Sequence, residues 1–165
     1  MLGAGHHWTG ALMGVAVCGL AARFGGHLPG YALPAVFLAG WYGGVAPDRL
    51  EFRRGRNTLI PHRTITHLML FWGLTCAFVG ASLIGGAAWV RDYPAVSWIL
   101  LGFLMGGLTH ILVDWPNPLG VPLWHPGRRH SLRWWRSGQY EVTIILVFVL
   151  MAWAAWGFPA PRRLP

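Results

Sequence analysis

The sequence predicts an all-α protein, a polytopic bundle of about five transmembrane helices in one domain that spans residues 1–165. Apolar residues make up 55% of the chain and charged residues 11%, whereas a typical soluble domain carries about 25% charged residues. The apolar residues also fall into runs near the roughly 20 residues that a helix needs to cross a bilayer. Lipid is therefore the expected solvent for most of this surface.

Five apolar runs predict the five spans, and small residues such as Gly40 and Gly106 inside them allow helices to pack closely. Charged or proline-containing segments separate the runs. In chain order the predicted spans are about Trp8–Ala22, Tyr31–Ala46, Ile65–Val90, Ala95–Val113 and Tyr140–Phe158.

The basic residues predict the orientation of this bundle. All thirteen are Arg, and the formal net charge is +8. With five spans, the face that carries the N-terminus collects nine of them: Arg49, Arg53, Arg54, Arg56, Arg63, Arg128, Arg129, Arg133 and Arg136. The other face collects Arg23, Arg91, Arg162 and Arg163. The positive-inside rule places the N-terminus in the cytoplasm. Because these residues lie between apolar runs, we expect membrane lipids rather than nucleic acid as their partner.

Side chains of the types that bind metals gather on that same face. His110 and Asp114 are one helical turn apart, so both project from one side of the fourth span. The other candidates from separate spans and loops are His6, His7, Asp48, His62, His67 and Glu141. Ionisable groups near a bilayer are costly and are usually paired or bound to an ion. This convergence predicts a divalent metal site, with zinc favoured for imidazole and carboxylate ligands.

Each residue alone also has a structural interpretation. An HxxxD pair can be a hydrogen-bonded helix end, and Asp48 after Pro47 can be a turn residue. Glu141 at the start of a helix can complement the helix dipole.

Several motifs resemble the YdjM-like family of bacterial inner-membrane, predicted metal-dependent hydrolases. They are His7 before TGALMG, GGVAPD ending at Asp48, PHRTITH over 61–67, and GGLTHILVDWPNPLGVPLWHP over 106–126. The resemblance implies a helical inner-membrane protein with a His/Asp metal centre. The order of its ligands is also distantly similar to the zinc-dependent phospholipase C and nuclease group. On that likeness the ligands would be His7, Asp48, His67, His110 and Asp114, with His62 and Glu141 as further candidates.

The chain departs from the family pattern at one informative place. The family box reads PDxD, whereas residues 47–50 read PDRL, so one expected carboxylate is missing. Glu51 follows directly, and the sequence leaves open whether it substitutes. One or two bound ions are expected.

These features together predict a membrane-bound metal-dependent hydrolase that acts on a phosphoester or another bond of an amphiphilic substrate at the cytoplasmic face. Asp48 or Glu141 would accept the proton from water, and Arg63, Arg128 and Arg129 would bind an anionic headgroup. The alternatives are a non-catalytic membrane adaptor and a metal-handling transport protein. The sequence does not predict the oligomeric state.

Overall fold

The computed structural model describes residues 2–23, 28–51, 53–54, 57–58, 60 and 62–157. Its helices are α1 Gly3–Arg23, α2 Ala32–Gly43, α3 Ala46–Arg49, a 3₁₀ turn Ile65–His67, α4 Met69–Ile84, α5 Ala88–Asp92, α6 Pro94–Asp114 and α7 Glu141–Gly157. Two antiparallel two-residue pairings join β1 Arg53–Arg54 to β2 Asn57–Thr58 and β3 Val121–Pro122 to β4 Arg129–His130. The all-α prediction is confirmed, because the strands occur only in short hairpins.

Helix α6 lies at the centre of the bundle and packs against α1, α2 and α4, while α7 packs mainly against α1. Glycine residues lie where the backbones of α1, α2 and α6 approach most closely. A Cβ atom at Gly44 would overlap the backbone carbonyl of His6, and one at Gly106 would overlap the backbone of Gly40. Glycine thus allows three helix backbones to touch, as is common in membrane bundles.

The outer surface of the bundle is apolar. On α4, Leu74 and Phe78 are more than half exposed, and on α7 the same holds for Val142, Leu150 and Trp153. An exposed apolar surface of this kind is costly in water. It suits a helix bundle that is surrounded by lipid.

Five of the helices correspond to the five predicted spans, but one span is interrupted. The third, predicted as Ile65–Val90, is divided into the 3₁₀ turn, α4 and α5. The break falls at Gly85 and Gly86, and Gly86 has a φ of 62°, which ends a right-handed helix. The prediction of one continuous helix over Ile65–Val90 was therefore wrong.

Only α6 is both long and apolar enough, among the described residues, to qualify as a membrane span by itself. Helices α2, α4 and α7 are apolar but have 12, 16 and 17 residues, short of the roughly 20 that a perpendicular span needs. The five-span count thus stays a prediction. Six residues used in the predicted spans and motifs lie outside the described residues, namely His27, Arg56, Pro61, Phe158, Arg162 and Arg163.

Candidate metal centre

One end of the bundle brings ligand-type side chains together from four parts of the chain. His6 lies in the first turn of α1, and Asp48 lies in α3, directly after α2. His67 ends the 3₁₀ turn that leads into α4, and His110 and Asp114 lie in the last two turns of α6. The chain alternates direction along the bundle, so the start of α1, the end of α2, the start of α4 and the end of α6 meet.

An inner group consists of His6, His110 and Asp114, all of them buried. His6 Nε2 lies 3.4 Å from Asp114 Oδ1, and His110 Nε2 lies 3.8 Å from Asp114 Oδ2. The two imidazole rings stack with their centroids 3.8 Å apart. Two nitrogen ligands and one carboxylate are thus held within reach of a single cation.

The contact with the Gly44 carbonyl indicates which ring nitrogen of His110 carries the proton. His110 Nδ1 lies 2.7 Å from the carbonyl oxygen of Gly44, and a carbonyl can only accept a hydrogen bond. Nδ1 of the neutral ring therefore carries the proton, and Nε2 keeps its lone pair on the side of the inner group. Metal-binding histidines are commonly oriented in this way by a backbone carbonyl.

Asp48 faces two buried imidazole nitrogens. Its Oδ1 lies 3.2 Å from His67 Nε2 and 3.6 Å from His110 Nε2. Both histidines are fully buried, and neither Nε2 atom has a hydrogen-bond partner within the described part of the chain. Buried polar atoms are normally paired, so two such atoms directed at one carboxylate indicate a site for an ion.

The Asp48 carboxyl is ionised at neutral pH. Burial raises its pKa, but the close contact with His67 and the charge that His110 carries when it is protonated lower the pKa by more, and the net pKa falls to about 2. Its side chain is also 42% exposed, so this carboxylate connects the buried histidines to the outside.

An outer group consists of Asp48, Glu51, His62 and His67. The Glu51 side chain is 4% exposed, and its Oε1 accepts hydrogen bonds from His62 Nδ1 at 2.6 Å and from the Arg63 backbone N–H at 3.1 Å. His62 is 48% exposed and lies 3.9 Å from Asp48 Oδ1. The exposed side chains of Asp48 and His62 form the opening of the site to solvent, which we call its mouth.

Arg63 lies beneath the site rather than at its mouth. Its side chain is 4% exposed, pairs with Asp114 through Nη2 and donates from Nη1 to the Gly120 carbonyl at 3.0 Å. The residue has a φ of 56°, which turns the chain between His62 and the 3₁₀ turn. This geometry makes Arg63 a support for Asp114, in place of the predicted contact with a substrate.

Replacing Arg63 with alanine is expected to lower the free energy of unfolding by about 3–5 kcal/mol, because it removes the guanidinium that is paired with the buried Asp114 carboxylate. Thermal unfolding in detergent, followed by circular dichroism, measures this loss. Arg128→Ala removes an exposed arginine and is the matched control, with an expected change within about 0.5 kcal/mol. Equal unfolding temperatures for the two variants would contradict the assigned role.

The other predicted site residues lie apart from the two groups. His7 Nδ1 is 2.7 Å from the Trp41 carbonyl oxygen, and its ring stacks on Trp41. Glu141 is the first residue of α7 and belongs to neither group. Arg128 and Arg129 are exposed, and Arg129 Nη2 donates to the His62 carbonyl at 2.7 Å, which places its guanidinium beside the mouth.

Sequence reasoning placed both His6 and His7 on this face but selected His7 as the ligand, and it left Glu51 open. A usable signal existed for His6, since Gly10 and Gly14 follow it at intervals of four and eight residues. Residues at this spacing share one helix face, and glycines mark the face where another helix packs. No local pattern distinguishes the direction of Glu51, because its partner His62 is 11 residues away in the sequence.

The fold and this end of the bundle define a class, that of helical membrane proteins with a candidate His/carboxylate metal centre. The family model described as YdjM inner membrane protein matches residues 1–163. The chain therefore belongs to this family of inner membrane proteins, and the predicted resemblance to it is confirmed. No curated protein and no solved structure matches the chain.

Proposed function

We propose that the protein is a membrane-bound, metal-dependent hydrolase that cleaves a phosphoester bond of an amphiphilic substrate at the cytoplasmic face of the membrane. The family supplies the membrane location. The metal centre, the reaction and the substrate class are inferred from the contacts of the described residues.

The observation that carries the proposal is the pair of buried nitrogens, His67 Nε2 and His110 Nε2, that face Asp48 without a hydrogen bond. Leaving a buried polar group unpaired costs about 1–3 kcal/mol. A cation bound by these nitrogens and by the carboxylates of Asp48 and Asp114 removes that cost. Imidazole and carboxylate ligands suit zinc, and manganese or iron also fit them.

A divalent ion at this site would polarise a phosphoryl oxygen and make water more acidic. The chain supplies the surroundings. Gly44 orients His110, Arg63 orients Asp114, and Glu51 orients His62. Asp48 is the carboxylate that a water molecule entering the mouth would meet, so we assign it to orient that water and take its proton. Glu141, outside both groups, has no part in this scheme.

The surroundings of the mouth favour an amphiphile. On one side Arg129 is bound to the His62 carbonyl and presents a cation suited to a phosphate. Two residues beyond His67 along the chain, at Met69, begins an apolar groove of about 230 Å³, which is lined by residues that include Leu70, Leu74 and Trp124. A molecule with an anionic headgroup and an apolar chain matches both features.

We further propose that α1, α2, α4, α6 and α7 cross the membrane, with the N-terminus in the cytoplasm. The described arginines of the 115–140 connection lie at the same end of the bundle as the site, next to exposed Trp124 and Trp134. Arginine and tryptophan are both enriched where a helix bundle meets the cytoplasmic headgroups.

Detergent-purified protein, loaded with zinc or manganese, is expected to hydrolyse at least one member of a panel of lipid phosphate monoesters and diesters. Release of phosphate or headgroup measures turnover. His110→Ala is expected to lower it by more than about 100-fold, since even residues behind a metal ligand are worth about 10–100-fold. Asp92→Asn is the matched control, because this exposed acid precedes α6 and α6 separates it from the site by about 30 Å.

Turnover that survives His110→Ala would contradict the proposal. Bound metal without hydrolysis of any substrate would favour the metal-handling alternative. Loss of function only when the exposed arginines are replaced would favour an adaptor.

A further inference from the structure

We infer that the centre holds two divalent ions, an inner one and an outer one, that share the Asp48 carboxylate, and that Glu51 is a ligand of the outer ion. This inference rests on the metal binding in the proposed function. It extends that function by assigning each ion its ligands and by predicting which ion is lost first.

The described residues form two ligand sets rather than one. In the inner group the ligand atoms of His6, His110 and Asp114 all lie within 4.8 Å of one another, and in the outer group the same holds for Asp48, Glu51, His62 and His67. No residue belongs to both groups. Seven ligand-type groups exceed the four to six that one zinc or manganese ion accepts.

Asp48 connects the two sets. Its Oδ1 lies 3.2 Å from His67 Nε2 in the outer group and 3.6 Å from His110 Nε2 in the inner group. Both nitrogens belong to fully buried side chains and have no hydrogen-bond partner in the described part of the chain. One unpaired nitrogen therefore points from each set toward the same carboxylate. Paired ions in hydrolases are close enough for such sharing.

Glu51 supplies a buried carboxylate to the outer group. Helix α3 ends at Arg49, and the chain turns so that the Glu51 side chain is buried against His62 and Arg63. Its Oε1 also lies 3.6 Å from His67 Nδ1. A carboxylate 4% exposed needs strong compensation, and a cation shared with His62 and Asp48 provides it.

The two positions differ in access to solvent. All three inner residues are buried, whereas Asp48 and His62 of the outer group are 42% and 48% exposed. An ion in the outer position can exchange through the mouth, while one in the inner position must leave past Asp48. A chelator should therefore remove the outer ion first.

The test uses full-length protein in detergent, saturated with Mn²⁺. Elemental analysis should give two ions per chain, and electron paramagnetic resonance should show the spectrum of a coupled pair. Glu51→Gln keeps the size of the side chain and is expected to reduce the content to one ion with an uncoupled spectrum. His62→Ala removes another ligand of the outer ion, from a half-exposed position, and should give the same result. Brief chelation of the wild type should also stop at one ion.

Asp92→Asn is the control and should retain the coupled pair. One ion in the wild type would overturn the inference, and so would two coupled ions in Glu51→Gln. These results can be distinguished from a failure of the proposed function. Two coupled ions without hydrolysis would refute the hydrolase and support the two-ion inference. Hydrolysis by protein that holds one ion would support the hydrolase and refute the two-ion inference.

Discussion

Replacing His110 with alanine is expected to remove most of the divalent metal that the proposed centre binds. His110 Nε2 faces both carboxylates of the centre, at 3.6 Å from Asp48 and 3.8 Å from Asp114, and its ring stacks on His6. Its loss should weaken metal binding by more than the 10–100-fold that is typical of residues behind the ligands. Elemental analysis of purified protein, normalised to chain concentration, measures the effect.

A pair of neighbouring histidines gives this prediction a matched control. The sequence motifs favoured His7 as the ligand, whereas the structure places His6 in the inner group and His7 against Trp41. His6→Ala should therefore lower the metal content, and His7→Ala should keep it near the wild-type level. The opposite result would mean that α1 is rotated by one residue from its position in the structure. Unchanged metal in both variants and in His110→Ala would refute the centre.

Gly44→Ala is expected to destabilise the bundle severely although it adds a single methyl group. The new Cβ would overlap the backbone carbonyl of His6, and a backbone atom cannot move aside as a side chain can. Overpacking a core typically costs about 1–3 kcal/mol, and we expect this change to reach or exceed the upper value. The Gly44 carbonyl also holds His110, so the bound metal should fall as well. Thermal unfolding in detergent and elemental analysis measure the two effects.

Gly80→Ala is the control for this change. Gly80 lies within α4, and a Cβ atom there meets nothing within 4 Å. Alanine is favoured over glycine in a helix by about 0.5–1 kcal/mol, so this variant should be as stable as the wild type or slightly more stable. If Gly44→Ala unfolds at the same temperature as Gly80→Ala, α1 and α2 do not pack as closely as described.

The amino-acid sequence was sufficient for the class of fold and for most of the residues at the site. Apolar runs with few charges predict helices in lipid, and the parity of the spans places their polar ends on one face. On this basis the sequence predicts that Asp48, His67, His110 and Asp114 lie at the same end of the bundle. The structure places all four there. The family match over residues 1–163 accords with this use of pattern and motif.

The tertiary structure alone decided which of two adjacent residues faces the interior and what each charged group touches. Hydropathy cannot separate His6 from His7, because the choice depends on the rotation of α1 about its axis, which close glycine contacts with α2 and α6 determine. Nor can it show that Arg63 turns inward to Asp114, or that the chain after α3 returns Glu51 to His62. Sequence patterns report the solvent that each segment prefers, whereas the direction of a side chain is settled by the packing of segments distant in the chain.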